Sequence, residues 1–192
     1  YYSPDSNTIV FPAAILQAPF YSLEQSSSQN YGGIGAVIAH EISHAFDNNG
    51  AQFDKEGNLN KWWLDEDYEA FEEKQKEMIA LFDGVETEAG PANGKLIVSE
   101  NIADQGGITA ALTAAKDEKD VDLKAFFSQW AKIWRMKASK EFQQMLLSMD
   151  VHAPAKLRAN IPPTNLEEFY ETFDVKETDK MYRAPENRLN IW

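Results

Sequence analysis

The sequence contains no cysteine, which excludes disulfides, thiolate metal sites and a cysteine nucleophile. Any metal must then be held by His, Asp or Glu, and His is itself scarce, with 3 in 192 residues. No apolar run approaches the ~20 residues that cross a bilayer, so no membrane segment is expected. The opening Tyr1-Tyr2-Ser3-Pro4 has neither the basic start nor the apolar stretch of a signal peptide, and it lacks an initiator Met. The chain is therefore expected to be a piece of a longer protein. Basic residues are also in short supply, 18 against 31 acidic for a formal charge of −13, and no basic patch stands out. A phosphate backbone would meet net repulsion, so nucleic acid is not an expected partner.

What is present is enough for a core. Hydrophobic residues make up 43% of the chain, with 5 Trp and 11 Phe, and 192 residues suit one globular domain. Apolar residues at Ile34, Val37, Ile38, Ile42, Ala45 and Phe46 recur at helical spacing from Gln29 to Phe46, with Asn48-Asn49-Gly50 as a stop. Asp65 reads as the N-cap of a helix carrying Tyr68, Phe71, Met78, Ile79 and Phe82. A third helix is expected from Ser99 to Lys116 despite Gly106-Gly107, which imply close packing against a neighbour. Leu123–Met136, Ser139–Met149 and a helix opened by the capping box Thr164–Glu167 and ending at Phe173 complete the helices. Asn7–Phe11, stopped by Pro12, reads as an edge strand, Gln52–Leu59 as a turn or short hairpin, and Gly84–Gly94 as a loop. The fold class is thus mainly α with a small β component.

His40-Glu41-Ile42-Ser43-His44 is an H-E-x-x-H pattern. On a helix, residues four apart share a face with Cβ atoms about 5–6 Å apart, so both imidazoles can reach one ion and Glu41 stands beside them as a base. The bland alternative is a pair of satisfied core histidines, but it leaves the pairing of ligands with a base unexplained. A catalytic zinc needs three protein ligands and an open position. Glu100 is the best third candidate, because Asp104, four residues on, can accept the remaining N–H of a ligand histidine. Asp47, at a helix C-terminus where the macrodipole disfavours an anion, either orients His44 or is a solvated cap. His152 and Arg158 read as surface residues by default, or as donors to a developing oxyanion.

Taken together, these pieces resemble the neprilysin family of zinc endopeptidases. The resemblance is carried by Ile9-Val10-Phe11-Pro12-Ala13, Asn30-Tyr31-Gly32-Gly33-Ile34-Gly35, the H-E-x-x-H pentapeptide with Phe46-Asp47, Glu100-Asn101-Ile102-Ala103-Asp104 with Gly106-Gly107, Asp150-Val151-His152-Ala153-Pro154 with Arg158, and Trp192. It implies a thermolysin-like (gluzincin) catalytic domain spanning residues 1–192 and one zinc bound by His40, His44 and Glu100. It further implies Glu41 as general base and proton shuttle, Asp47 and Asp104 supporting the ligands, and His152 with Arg158 on the substrate carbonyl. Ile15, Phe20, Val37, Ile133 and Trp134 are expected to line an apolar pocket for the side chain after the scissile bond. The implied reaction is hydrolysis of oligopeptides on the amino side of hydrophobic residues.

Two departures qualify the resemblance. Family members carry an Asn-Ala pair just before the position of Tyr1 that grips the substrate backbone, and they are several times longer, with a helical N-terminal part closing over the active site. That N-terminal region is the expected partner of this chain, alongside peptide substrates. Animal members hold this region with disulfides, so a cysteine-free chain looks more like a bacterial oligopeptidase working in the cytoplasm. Two rivals stay open: a catalytically silent, zinc-stabilised peptide-binding module, and a zinc hydrolase acting on another amide or ester.

Overall fold

Helical periodicity between Gln29 and Phe46 is realised as one continuous rod. In this computed structural model, which describes residues 1–192, Ser26 and Gln29 form a reciprocal capping pair that opens α1 (Ser27–Asn30). The rod then widens into a π-helical stretch over Tyr31–Gly35, continues as α2 (Ala36–Ser43) and tightens into a 3-10 turn at His44–Phe46. H-E-x-x-H therefore occupies the last turn of α2 and the turn beyond it.

Five further segments follow the expected pattern with shifted ends. Helix α3 (Asp65–Phe82) starts one residue earlier than expected, with extended Leu64 at the cap position and the Asp67 carboxylate accepting from Leu64 N at 3.2 Å. Asp65 sits inside the first turn, where its charge meets the positive end of the helix. After α4 (Val98–Lys116), α5 (Leu123–Ile133) stops short of Met136, because Trp134 leaves helical dihedrals and turns its indole under the Arg158 guanidinium, 3.7 Å away. Helix α6 (Lys140–Met149) is capped by Ser139, whose Oγ accepts from Phe142 N at 3.2 Å. Pro154 introduces a short helix, α7 (Ala155–Asn160), that the apolar periodicity had not marked.

The Thr164 capping box does not form. Thr164 lies in a 3-10 turn over Pro162–Asn165 and its hydroxyl donates to Ile161 O at 2.7 Å, so α8 (Glu167–Phe173) begins at Leu166 without a side-chain cap. Sheet is sparse. The edge-strand segment contributes β2 (Thr8–Ile9), antiparallel to β1 (Tyr2–Ser3), and Phe53 bridges Leu59 in the expected hairpin. A second small pair, β3 (Glu86–Thr87) and β4 (Gly90–Pro91), lies within the segment read as a loop. No helix is long and apolar enough to cross a membrane.

Helix α4 is the structural axis. Its Ile108, Ala111, Leu112 and Ala115 enter one core cluster with Val37, Phe126, Trp130 and Phe169, while Val98 and Ile102 enter a second with Phe71, Met78 and Phe82. A helix apolar on nearly all sides must be central, and burial of its side chains stabilises by roughly 25 cal/mol per Å². The two glycines allow α4 to cross α2 closely. A Cβ on Gly107 would stand 2.7 Å from Ala36 O and 2.9 Å from His40 N, both backbone atoms that cannot give way. A Cβ on Gly106 would meet Ser43 Oγ at 2.4 Å. Substituting Gly107→Ala is therefore expected to cost about 1–3 kcal/mol by overpacking and to push His40 away from α4. Urea denaturation checks this; an unchanged midpoint would show that the crossing is not tight.

Candidate metal centre

The crossing of α2 and α4 brings three candidate ligand atoms to one point. His40 Nε2 and His44 Nε2 are 3.1 Å apart, and Glu100 Oε2 lies 3.2 Å from the first and 3.6 Å from the second. Ligand bonds of about 2.0–2.2 Å in a tetrahedron separate ligand atoms by roughly 3.3–3.6 Å, so this triangle has the size zinc requires. Glu100 Oε2 is buried with no hydrogen-bond partner, although three imidazole nitrogens surround it. Such an orphaned anionic oxygen is what a cation would satisfy. Glu41 joins His40 and His44 in a group whose ligating atoms lie within 4.8 Å of one another.

A second layer of carboxylates fixes the rings. His40 Nδ1 meets Asp104 Oδ1 at 2.8 Å, and Asp104, only 1% exposed, also receives Arg158 Nε on Oδ2 at 2.7 Å and Nη2 on Oδ1 at 2.8 Å. His44 Nδ1 meets Asp47 Oδ2 at 2.6 Å, and Asp47 Oδ1 accepts from the backbone N–H groups of Asn49 at 2.7 Å and Gly50 at 2.8 Å. Asp47 thus works as a buried turn anchor that orients His44, not as a solvated cap. With both Nδ1 atoms held, both Nε2 atoms face the metal position.

His152 is no isolated surface residue. Its Nε2 lies 3.1 Å from Glu100 Oε2, and its Nδ1 and backbone N both reach Asp150 Oδ1, at 2.8 and 3.0 Å. Asp150 stood in the sequence only as part of the motif around His152, with no role given to it. Ser99 was missed as well; its hydroxyl reaches Asp47, and no local pattern marks it.

The five expected pocket residues all join one apolar cluster. Only Ile133 and Trp134 border the cavity beside the site, which has a volume of about 590 Å³ and also meets Leu146, Leu147, His152 and Arg158. Ile15, Phe20 and Val37 are absent from its lining and pack in the apolar cluster behind it, Val37 from α2 and Ile15 and Phe20 from the segment before α1. A smaller cleft of about 380 Å³, lined by Tyr1, Tyr2, His40, Glu41, His44 and Glu100, shares His152 with this cavity.

The proton equilibria follow from this geometry. Burial pushes the imidazolium of His44 down, but its hydrogen bond to Asp47 and the nearby Glu100 carboxylate outweigh it and raise its pKa from 6.5 to about 10. His40 moves up for the same reason, burial being overcome by Asp104 and Glu100. Glu100 resists burial through His152, His40 and His44 and stays far below the usual carboxylate range, and Arg158 and His40 hold Asp104 at about 2 against its burial.

Comparison with known proteins decides the family. The description of Peptidase family M13 matches residues 1–189. The chain belongs to this family. A neutral endopeptidase of Lactococcus lactis subsp. lactis is 99% identical over 192 residues, which are 100% of this chain and 31% of that protein. The crystal structure of PepO from Lactobacillus rhamnosis superimposes with a TM-score of 0.95 at 50% identity, covering 100% of this chain and 30% of that one. The Mycobacterium tuberculosis zinc metalloprotease Zmp1, solved with an inhibitor, gives a TM-score of 0.95 at 38% identity, again over 100% of this chain and 32% of that one. This M13 chain therefore spans about a third of the length of the relatives it matches. Membership bears out the neprilysin resemblance and the mainly helical fold, and it implies zinc as the metal.

Because both histidines of the candidate centre hold protons that a metal bound between them would expel, zinc affinity should rise with pH and zinc binding should release protons. In the metal-free protein the raised pKa of His44 acts oppositely, its stabilisation being complete below about 6.5 and fading as pH climbs to about 10. Titration calorimetry in buffers of different ionisation enthalpy measures the released protons; none released between pH 6 and 8 would contradict the raised values.

Proposed function

We propose that this chain is the zinc-binding catalytic domain, spanning residues 1–192, of an M13 endopeptidase that cleaves oligopeptides on the amino side of hydrophobic residues. The observation that carries the reading is the triangle of His40 Nε2, His44 Nε2 and Glu100 Oε2, with its unpartnered buried carboxylate oxygen, fitting one zinc per chain. Zinc bound there supplies a Lewis acid and lowers the pKa of a coordinated water to about 7.

Glu41 takes a proton from the water that attacks the peptide carbonyl and delivers it to the amine that departs as the C–N bond breaks. His152, oriented by Asp150, faces the same point and donates to the carbonyl oxygen as charge develops. Arg158 assists from beside it, its guanidinium fixed by two bonds to Asp104 and by the Trp134 ring. The cavity bordered by Ile133 and Trp134 opens next to His152, which supports an apolar side chain on the amine side of the cut bond. The remaining length of the relatives supports a further region of the protein that closes over this cleft and limits substrate size. The cysteine-free sequence and the bacterial relatives favour a reducing, cytoplasmic setting.

A catalytically silent binding module would have no use for Glu41 or an oriented His152 beside the metal position. Replacing Glu41→Gln in the full-length protein should lower turnover of a quenched fluorescent peptide by about 10²–10⁴-fold while zinc content stays at one per chain. Activity should also be lost to a chelator and regained with zinc. Zinc retained with no cleavage of any apolar-containing peptide by the unmodified protein would favour the silent module.

A further inference from the structure

The two ligand histidines are braced differently. His40 is held by Asp104, which stands on α4 one turn after Glu100, so this brace and the third ligand share a helix. His44 is held by Asp47, which belongs to the same segment as His44 and has no covalent tie to α4. Without a cross-link, the His44–Asp47 pair could shift as a unit relative to Glu100.

One hydroxyl closes that gap. Ser99, the residue immediately before Glu100, donates from Oγ to Asp47 Oδ2 at 2.6 Å, the same oxygen that His44 Nδ1 contacts. Ser99 Oγ also accepts from Asn49 Nδ2 at 3.1 Å, so α4 is bound to the turn after H-E-x-x-H at two side chains. With the Asn49 and Gly50 amides on Oδ1, Asp47 receives four hydrogen bonds and is 2% exposed. We propose that Ser99 is a positioning residue of the metal centre, setting the register of the His44–Asp47 pair against Glu100; this rests on the zinc reading above.

Partners of metal ligands typically govern metal affinity by about 10–100-fold, and Ser99 acts one step further out, through Asp47. The full-length zinc-loaded protein is mixed with a chromogenic chelator and the rate of zinc release followed. Ser99→Ala should release zinc at least severalfold faster, while Ser99→Thr, which keeps the hydroxyl, should stay near the unmodified rate. In an Asp47→Ala background the Ser99→Ala change should have no further effect, since the acceptor is gone. Release from Ser99→Ala at the unmodified rate, or an equal effect with and without Asp47, would overturn the role of Ser99. Failure of the unmodified protein to hold zinc would instead defeat the zinc reading itself.

Discussion

Where α4 passes α2, Gly107 lies so near that an added methyl would stand 2.7 Å from a backbone oxygen, and the chemistry of the site depends on that closeness. Two helices carrying ordinary side chains at their contact run 8–10 Å apart. Here the glycines remove the spacer, and Glu100 and Asp104, on successive turns of α4, reach the two edges of the His40 ring. The conformational cost of Gly in a helix interior, about 1 kcal/mol each relative to Ala, is offset by the apolar burial that makes α4 common to both core clusters.

The electrostatics follow from the same crossing. Buried carboxylates survive only when paired or bound to metal, and the three acids at this crossing answer this in different ways. Asp104 is neutralised by Arg158 in a two-bond fork, a geometry lysine could not reproduce. Asp47 is held by amides, a hydroxyl and a ring N–H. Glu100 alone keeps an oxygen with no hydrogen bond, and that oxygen faces both Nε2 atoms. The unequal satisfaction of three acids separates the ligand from its supports.

The proposed ligand set was legible in sequence because helical periodicity alone puts His40 and His44 on one face, and because Glu100 and Asp104 repeat the spacing on a second helix. The tight crossing was legible from Gly106-Gly107. What escaped depended on contacts distant in sequence. Ser99 meets Asp47 across 52 positions, and nothing near Ser99 announces it. The pocket set was only partly legible, since Ile15, Phe20 and Val37 are apolar in the same way as Ile133, and which of them faces a cavity or a core depends on how elements distant in sequence pack together. The Thr164 cap failed for a local reason, the hydroxyl being taken by Ile161 O within the Pro162 turn.

The central claim is that His40, His44 and Glu100 together hold one zinc, with His152 kept for the substrate. X-ray absorption at the zinc edge on the full-length, zinc-loaded protein tests this most directly. The account predicts two imidazole nitrogens at about 2.0–2.1 Å and carboxylate and water oxygens at about 2.0–2.2 Å, with the two-imidazole signature unchanged in a His152→Phe variant. A three-imidazole signature that falls to two in that variant would contradict it, because His152, 3.1 Å from Glu100 Oε2, would then be a ligand.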